Sequence, residues 1–173
     1  MDFKKINFWR KAVWDKLVDF PQDTRKSFEK LLRNSTFLEV GALGTVLTST
    51  DGITWTSRTS GTSNFLRGVT YGNSTFVVVG QSGTILTSSD GTSWTSRTSG
   101  TGSYLYDITY ANSTFVAVSV GPDGPGTILT STDGTSWTSR TSGTSNTLWG
   151  VAYGNDPFVA VGGSGNIVRS TDN

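Results

Sequence analysis

Apolar residues follow two different rhythms along this chain. Up to Phe20 they recur at helical spacing: Ile6, Trp9, Val13, Leu17 and Phe20 stand 3, 4, 4 and 3 positions apart, which predicts one apolar stripe of an α-helix. Pro21 ends that stripe, and Asp23 or Thr24 is placed to cap a second short helix carrying Phe28, Leu31 and Leu32. From Asn34 onward the rhythm is that of short strands. In the clearest stretch, 66–71, 75–79, 84–87 and 94–98 are strand candidates, separated by turn signals at Gly72-Asn73, Gln81-Ser82-Gly83 and Asp90-Gly91. The second candidate is wholly apolar after its threonine and reads as buried on both faces. The fourth is nearly all Ser, Thr and Arg and reads as a solvated outer edge.

The strand region repeats itself. Ser-Thr-Asp-Gly-Ile-Thr-Trp ends at Trp55, Ser-Ser-Asp-Gly-Thr-Ser-Trp at Trp94 and Ser-Thr-Asp-Gly-Thr-Ser-Trp at Trp137, and a further copy begins at Ser170. Asp51, Asp90, Asp133 and Asp172 are 39, 43 and 39 residues apart. A period near 40 implies small supersecondary units, none able to bury its own apolar face alone. Within the box, Gly52, Gly91 and Gly134 suit a turn that needs positive φ. The aspartate can accept backbone N–H bonds two or three residues on, with the preceding Ser or Thr hydroxyl closing the loop further. Trp55, Trp94 and Trp137 would fold over the turn or wedge between units. The box therefore reads as a structural staple rather than a catalytic element.

The sequence Ser/Thr-x-Asp-Gly-x-Thr/Ser-Trp resembles the Asp-box, or bacterial neuraminidase repeat, found in β-propellers of sialidases, some glycosidases, sortilin-type receptors and the photosystem II assembly factor family. The resemblance covers residues 34–173. It implies an all-β propeller, here of about four blades with the first and last incomplete; the helical spacing over residues 1–33 sets an N-terminal α-helical extension before it. The resemblance also implies that the box lies between the third and fourth strands of each blade, away from any active site. The sialidase catalytic set does not transfer. The chain has only two glutamates, Glu29 and Glu39, and Arg58, Arg97 and Arg140 occupy one repeated place in the outer strand. No paired carboxylates of glycosidase type stand out, and we expect no enzymatic activity.

Asn34-Ser-Thr-Phe-Leu-Glu-Val-Gly matches Asn73-Ser-Thr-Phe-Val-Val-Val-Gly, so the first unit starts at its second strand. The last supplies three strands and stops inside its box. The expected count is three, four, four and three strands. Because propellers close with about four to eight blades, the unmatched ends favour a homo-oligomer, although a tight four-bladed ring or an open array also fits.

The units differ at two places. Phe65, Tyr104 and Thr147 correspond to one another, as do Arg67, Tyr106 and Trp149, two residues further along the first strand. Strand alternation points both positions to one face. Phe65, Arg67, Tyr104, Tyr106 and Trp149 are thus a candidate binding face for a glycan or a peptide; the competing reading is that they fill the channel or an inter-blade seam. The other variable place is the turn after the second strand, where the third unit inserts residues around Asp123.

Charge divides the chain where the rhythm changes. Residues 1–33 carry a net +4 and the remainder −3, for an overall +1. No global field recruits nucleic acid, and a membrane partner is not expected. With no cysteine or histidine there is no disulfide framework and no thiolate or imidazole metal site; no metal or cofactor is expected. The N-terminus lacks the features of a secretory signal, which points to a cytoplasmic or virion-associated protein. The leading expectation is a non-catalytic display module. Its helix stripe of Ile6, Trp9, Val13, Leu17 and Phe20 would dock into a larger assembly, for example a phage head decoration or tail adhesin. The alternative is a free carbohydrate- or protein-binding propeller of a bacterial cell, or an assembly factor.

Overall fold

The computed structural model describes residues 36–120, 126–154 and 156–170. The expected helices over 1–33, with Ile6, Trp9, Val13, Leu17 and Phe20, lie outside the described residues, as do Asp123 and Asp172. Among the described residues there are fourteen strands and no α-helix.

Four antiparallel sheets follow one another in chain order. Sheet I holds β1 (Phe37–Val40), β2 (Val46–Ser49) and β3 (Thr56–Arg58). Sheet II holds β4 (Leu66–Gly72), β5 (Thr75–Gly80), β6 (Ile85–Ser88) and β7 (Thr95–Arg97). Sheet III repeats this with β8 (Tyr104–Ala111), β9 (Thr114–Val120), β10 (Ile128–Ser131) and β11 (Thr138–Arg140). Sheet IV has β12 (Leu148–Tyr153), β13 (Phe158–Gly162) and β14 (Ile167–Arg169). The three, four, four, three count matches the sequence expectation. Each strand pairs with the next in sequence, as hairpins demand.

The hairpins use distinct turns. Asn73 and Ser74 both have positive φ (45° and 57°), as do Asn112 and Ser113, the mirror-image turn whose twist suits a two-residue hairpin. The next connection is a single 3-10 turn at Ala42–Gly44, Gln81–Gly83 and Gly163–Gly165, with Leu43, Ser82 and Ser164 in the left-handed region. The box, which in isolation suggests a tight Asp-Gly hairpin, instead forms a longer loop between β6 and β7 and its counterparts. Side-chain hydrogen bonds, rather than a ladder, hold it.

The described residues divide into two compact units, 36–37 with Thr48–Thr56, and Leu38–Leu47 with those from Ser57 onward. In the first, the described residues carry the loop around Asp51, and the Phe37 ring lies near Gly52. The second contains three hydrophobic seams, each between consecutive sheets. Val46, Leu66, Val78 and Leu86 are buried together with Leu38, Val40, Val69 and Trp94 against them. Val77, Val79 and Ile85 of sheet II meet Leu105, Ile108, Phe115, Ala117 and Leu129 of sheet III, with Tyr110 and Trp137 alongside. Val118 and Ile128 meet Leu148, Ala160, Val151 and Val168. Successive residues of β5 and β9 thus face opposite seams, which explains why these strands are apolar on both faces. Burying each such side chain contributes about 1.5–3 kcal/mol. The outer strands β3, β7 and β11 are largely exposed, so the seams carry the stability.

Candidate functional site

The three described boxes share one geometry. Ser88 Oγ donates to Asp90 Oδ1 (2.9 Å) and accepts from Gly91 N–H (2.8 Å). The same carboxylate oxygen accepts from the N–H groups of Thr92 (2.8 Å) and Ser93 (2.9 Å). Ser49 and Asp51 do this for Gly52, Ile53 and Thr54, and Ser131 and Asp133 for Gly134, Thr135 and Ser136. Gly52, Gly91 and Gly134 sit at φ of 74–75°, where a side chain is strained. The bonds hold all three carboxyls well below the usual carboxylate range. For Asp51 the largest cause is the Ile53 N–H, for Asp90 the Ser93 N–H and for Asp133 the Ser136 N–H. A carboxylate committed to its own loop in this way is poorly disposed to act as an acid or base.

The tryptophans divide in role. Trp94 packs against the seam between sheets I and II, and its Nε1 is buried with no hydrogen-bond partner. Trp137 packs against the seam between II and III, 6.4 Å from the Phe115 ring centre, and donates its Nε1–H to Gly134 O (3.0 Å). Trp55 is half-buried.

The candidate binding face comes together across three sheets. Leu66 and Gly68 pair with Gly80 and Val79, leaving Arg67 as an extra residue in β4. Tyr106 in β8 and Trp149 in β12 are left out of their ladders in the same way. A bulge at the same place in the first strand of sheets II, III and IV re-aims these side chains. The Arg67 guanidinium lies 4.6 Å from the Tyr106 ring centre and 5.8 Å from that of Phe65. Tyr106 in turn meets Trp149 edge-on at 5.1 Å. Phe65, Arg67, Tyr106 and Trp149 therefore form one row crossing sheets II, III and IV. Arg67 is exposed, Trp149 is 47 % exposed and Tyr106 is half-buried. Tyr104 is exposed and held separately, its hydroxyl accepting from Gln81 Nε2 (3.2 Å).

Sequence reasoning missed Asp107. It follows the bulged Tyr106 and accepts the Val151 N–H from sheet IV at 2.9 Å. The signal was available: Asp107 stands where the other units have Gly68 and Gly150. Arg97 and Arg140, singled out only as repeated outer-strand residues, lie back on their own sheets and donate Nε–H to Thr87 (2.8 Å) and Thr130 (3.0 Å). No group of metal-ligating side chains occurs among the described residues.

No protein-family profile matches the sequence, and no curated protein sequence does. Solved structures share its fold. A structure described as YCF48 bound to D1 peptide superimposes with a TM-score of 0.58 at 19 % identity, over 76 % of this chain and 44 % of its own. YCF48 from Cyanidioschyzon merolae gives a TM-score of 0.56 at 19 % identity, over 79 % of this chain and 49 % of its own. The chain thus spans about half the length of these neighbours. Four successive antiparallel sheets and this likeness place it among β-propeller folds.

Proposed function

We propose that this chain is a non-catalytic, protein-binding propeller module whose four sheets are Asp-box blades. It takes an extended peptide segment of a partner protein on the row Phe65, Arg67, Tyr106 and Trp149. The observation that carries this reading is the bulge repeated in the first strand of sheets II, III and IV, which lines a guanidinium and two aromatic rings in one row. Aromatic and arginine side chains are the usual anchors of protein interfaces. Trp149 would contact an apolar side chain of the peptide, and Arg67 a carboxylate. The neighbour bound to a D1 peptide supports a peptide-binding or assembly role over virion display. The self-satisfied carboxylates of Asp51, Asp90 and Asp133 support a role without catalysis.

A random peptide library selected on the intact chain tests the proposal. Arg67→Ala and Trp149→Ala should each weaken the selected peptides about tenfold or more while leaving the fold intact by circular dichroism. Peptide binding that ignores both substitutions, or a glycan array that responds where the peptide library does not, would overturn it.

A further inference from the structure

Backbone contacts set the spacing of the row from Arg67 to Trp149. β4 comes close to β8 at Gly68, where an added Cβ would stand 3.2 Å from the Asp107 Cα. Next to that approach the Arg67 guanidinium lies 4.6 Å from the Tyr106 ring centre. β8 is tied to β12 by the bond from Val151 N–H to Asp107 Oδ2 (2.9 Å). Tyr106 and Trp149, one and two residues before those partners, meet at 5.1 Å. Together the two contacts hold the guanidinium and the indole within about 10 Å, against about 6.5–7 Å between neighbouring side chains on one face of an extended strand.

The two ends differ in charge. Arg67 is the only ionised side chain among Phe65, Arg67, Tyr106 and Trp149. At the other end, Asp107 Oδ2 lies 3.7 Å from where a Cβ on Gly150 would stand, and Gly150 follows Trp149 in β12. A carboxylate of a bound segment is therefore drawn to the β4 end and repelled from the β12 end. The indole is left to an apolar side chain, which packs on the ring without a charge to desolvate.

We propose that the row measures the spacing between an acidic and an apolar residue of the segment it binds. The segment lies extended, with Asp or Glu against Arg67 and, two residues away, an aliphatic or aromatic side chain against Trp149. This rests on the peptide reading above and adds to it the spacing and the order across the sheets. Strand alternation selects the spacing: residues one or three apart point to opposite faces, and residues four apart stand about 13 Å apart, beyond the reach of the row. Only residues two apart present both groups to it together. The residue between them points away and is free to vary.

The test uses the full 173-residue chain, labelled with nitrogen-15, and short Gly-Ser-Thr peptides. Each peptide carries one Glu and one Leu, placed one to four residues apart and in both orders. NMR titration follows even weak binding. In the order that binds better, the peptide with Glu and Leu two apart should bind about tenfold more tightly than any other spacing. Arg67→Ala should erase the gain from Glu, and Trp149→Ala the gain from Leu. Arg67→Glu should move the preference at that position from Glu to Lys, a rescue that decides the matter should an alanine variant fail to fold by circular dichroism. Equal affinity at every spacing, with Arg67→Ala and Trp149→Ala still weakening each peptide, would overturn the spacing rule and leave the peptide row standing. No binding, or binding that ignores both substitutions, would overturn both.

Discussion

Asp107 ties sheet III to sheet IV: its Oδ2 accepts the Val151 N–H at 2.9 Å, while Oδ1 accepts the Ile108 N–H at 2.9 Å. One carboxylate therefore serves two backbone donors, one just past the bulge at Tyr106 and one across the seam. Asp107→Ala should destabilise the chain by about 1–3 kcal/mol, the cost of leaving part-buried donors unpaired. Asp107→Asn should not restore the loss, because its amide NH2 would point at one of the two N–H groups. Urea unfolding midpoints of the two variants check this. An asparagine variant as stable as the parent would show that the strut does not depend on both oxygens.

The boxes predict the acid limb of stability. Backbone N–H bonds, chiefly from Ile53, Ser93 and Ser136, hold the carboxyls of Asp51, Asp90 and Asp133 below their unfolded values. Such a group adds stability that is whole above the unfolded pKa, about 4, and is lost as pH falls from there toward the folded pKa. The melting temperature should therefore hold steady with respect to these groups from neutral pH down to about 5 and fall below about 4. Replacing all three with asparagine keeps an acceptor oxygen and removes the titration, so the fall should become shallower. An unchanged acid limb in that variant would place its origin elsewhere.

The strand count and the places of the turns were legible because the chain repeats them, although the box forms a longer loop than its Asp-Gly pair suggests. A position such as Asp90 is read three times over, and alternation along β5 assigns each side chain to a seam. The row from Arg67 to Trp149 was legible only as a set of differing positions. What joins it is a bulge, and a bulge breaks the alternation on which sequence reading relies. Asp107 escaped because a single carboxylate in place of a glycine resembles ordinary surface variation until its partner on another sheet is seen.

Trp94 and Trp137 both follow Asp-Gly-Thr-Ser and precede Thr-Ser-Arg but differ in bonding. The Trp137 indole N–H reaches Gly134 O, whereas that of Trp94 is buried and unpaired. Substitution by phenylalanine removes similar apolar area from both. At Trp137 it also removes a hydrogen bond, and at Trp94 it removes an unsatisfied donor. Trp137→Phe should thus cost about 0.5–1.5 kcal/mol more than Trp94→Phe. Urea titrations of the two variants, compared at equal slope, decide it; equal losses would mean that ring volume alone sets the effect.

The hairpin turns leave room for improvement. Asn73-Ser74 and Asn112-Ser113 place both residues at positive φ, and Ser74 and Ser113 sit at 57°. Asparagine adopts that region readily, but serine carries a Cβ that crowds the following carbonyl, at a cost of about 1–2 kcal/mol. Ser74 is exposed, so its loss disturbs no packing. Glycine relieves the crowding but loses more freedom on folding, which offsets about 0.5–1 kcal/mol of the gain. Ser74→Gly and Ser113→Gly should each stabilise by roughly 0.5 kcal/mol, and together additively, since the turns share no partner. Ser74→Ala keeps the Cβ and should gain nothing. A lowered melting temperature for the glycine variants would mean that the serine turns are not strained.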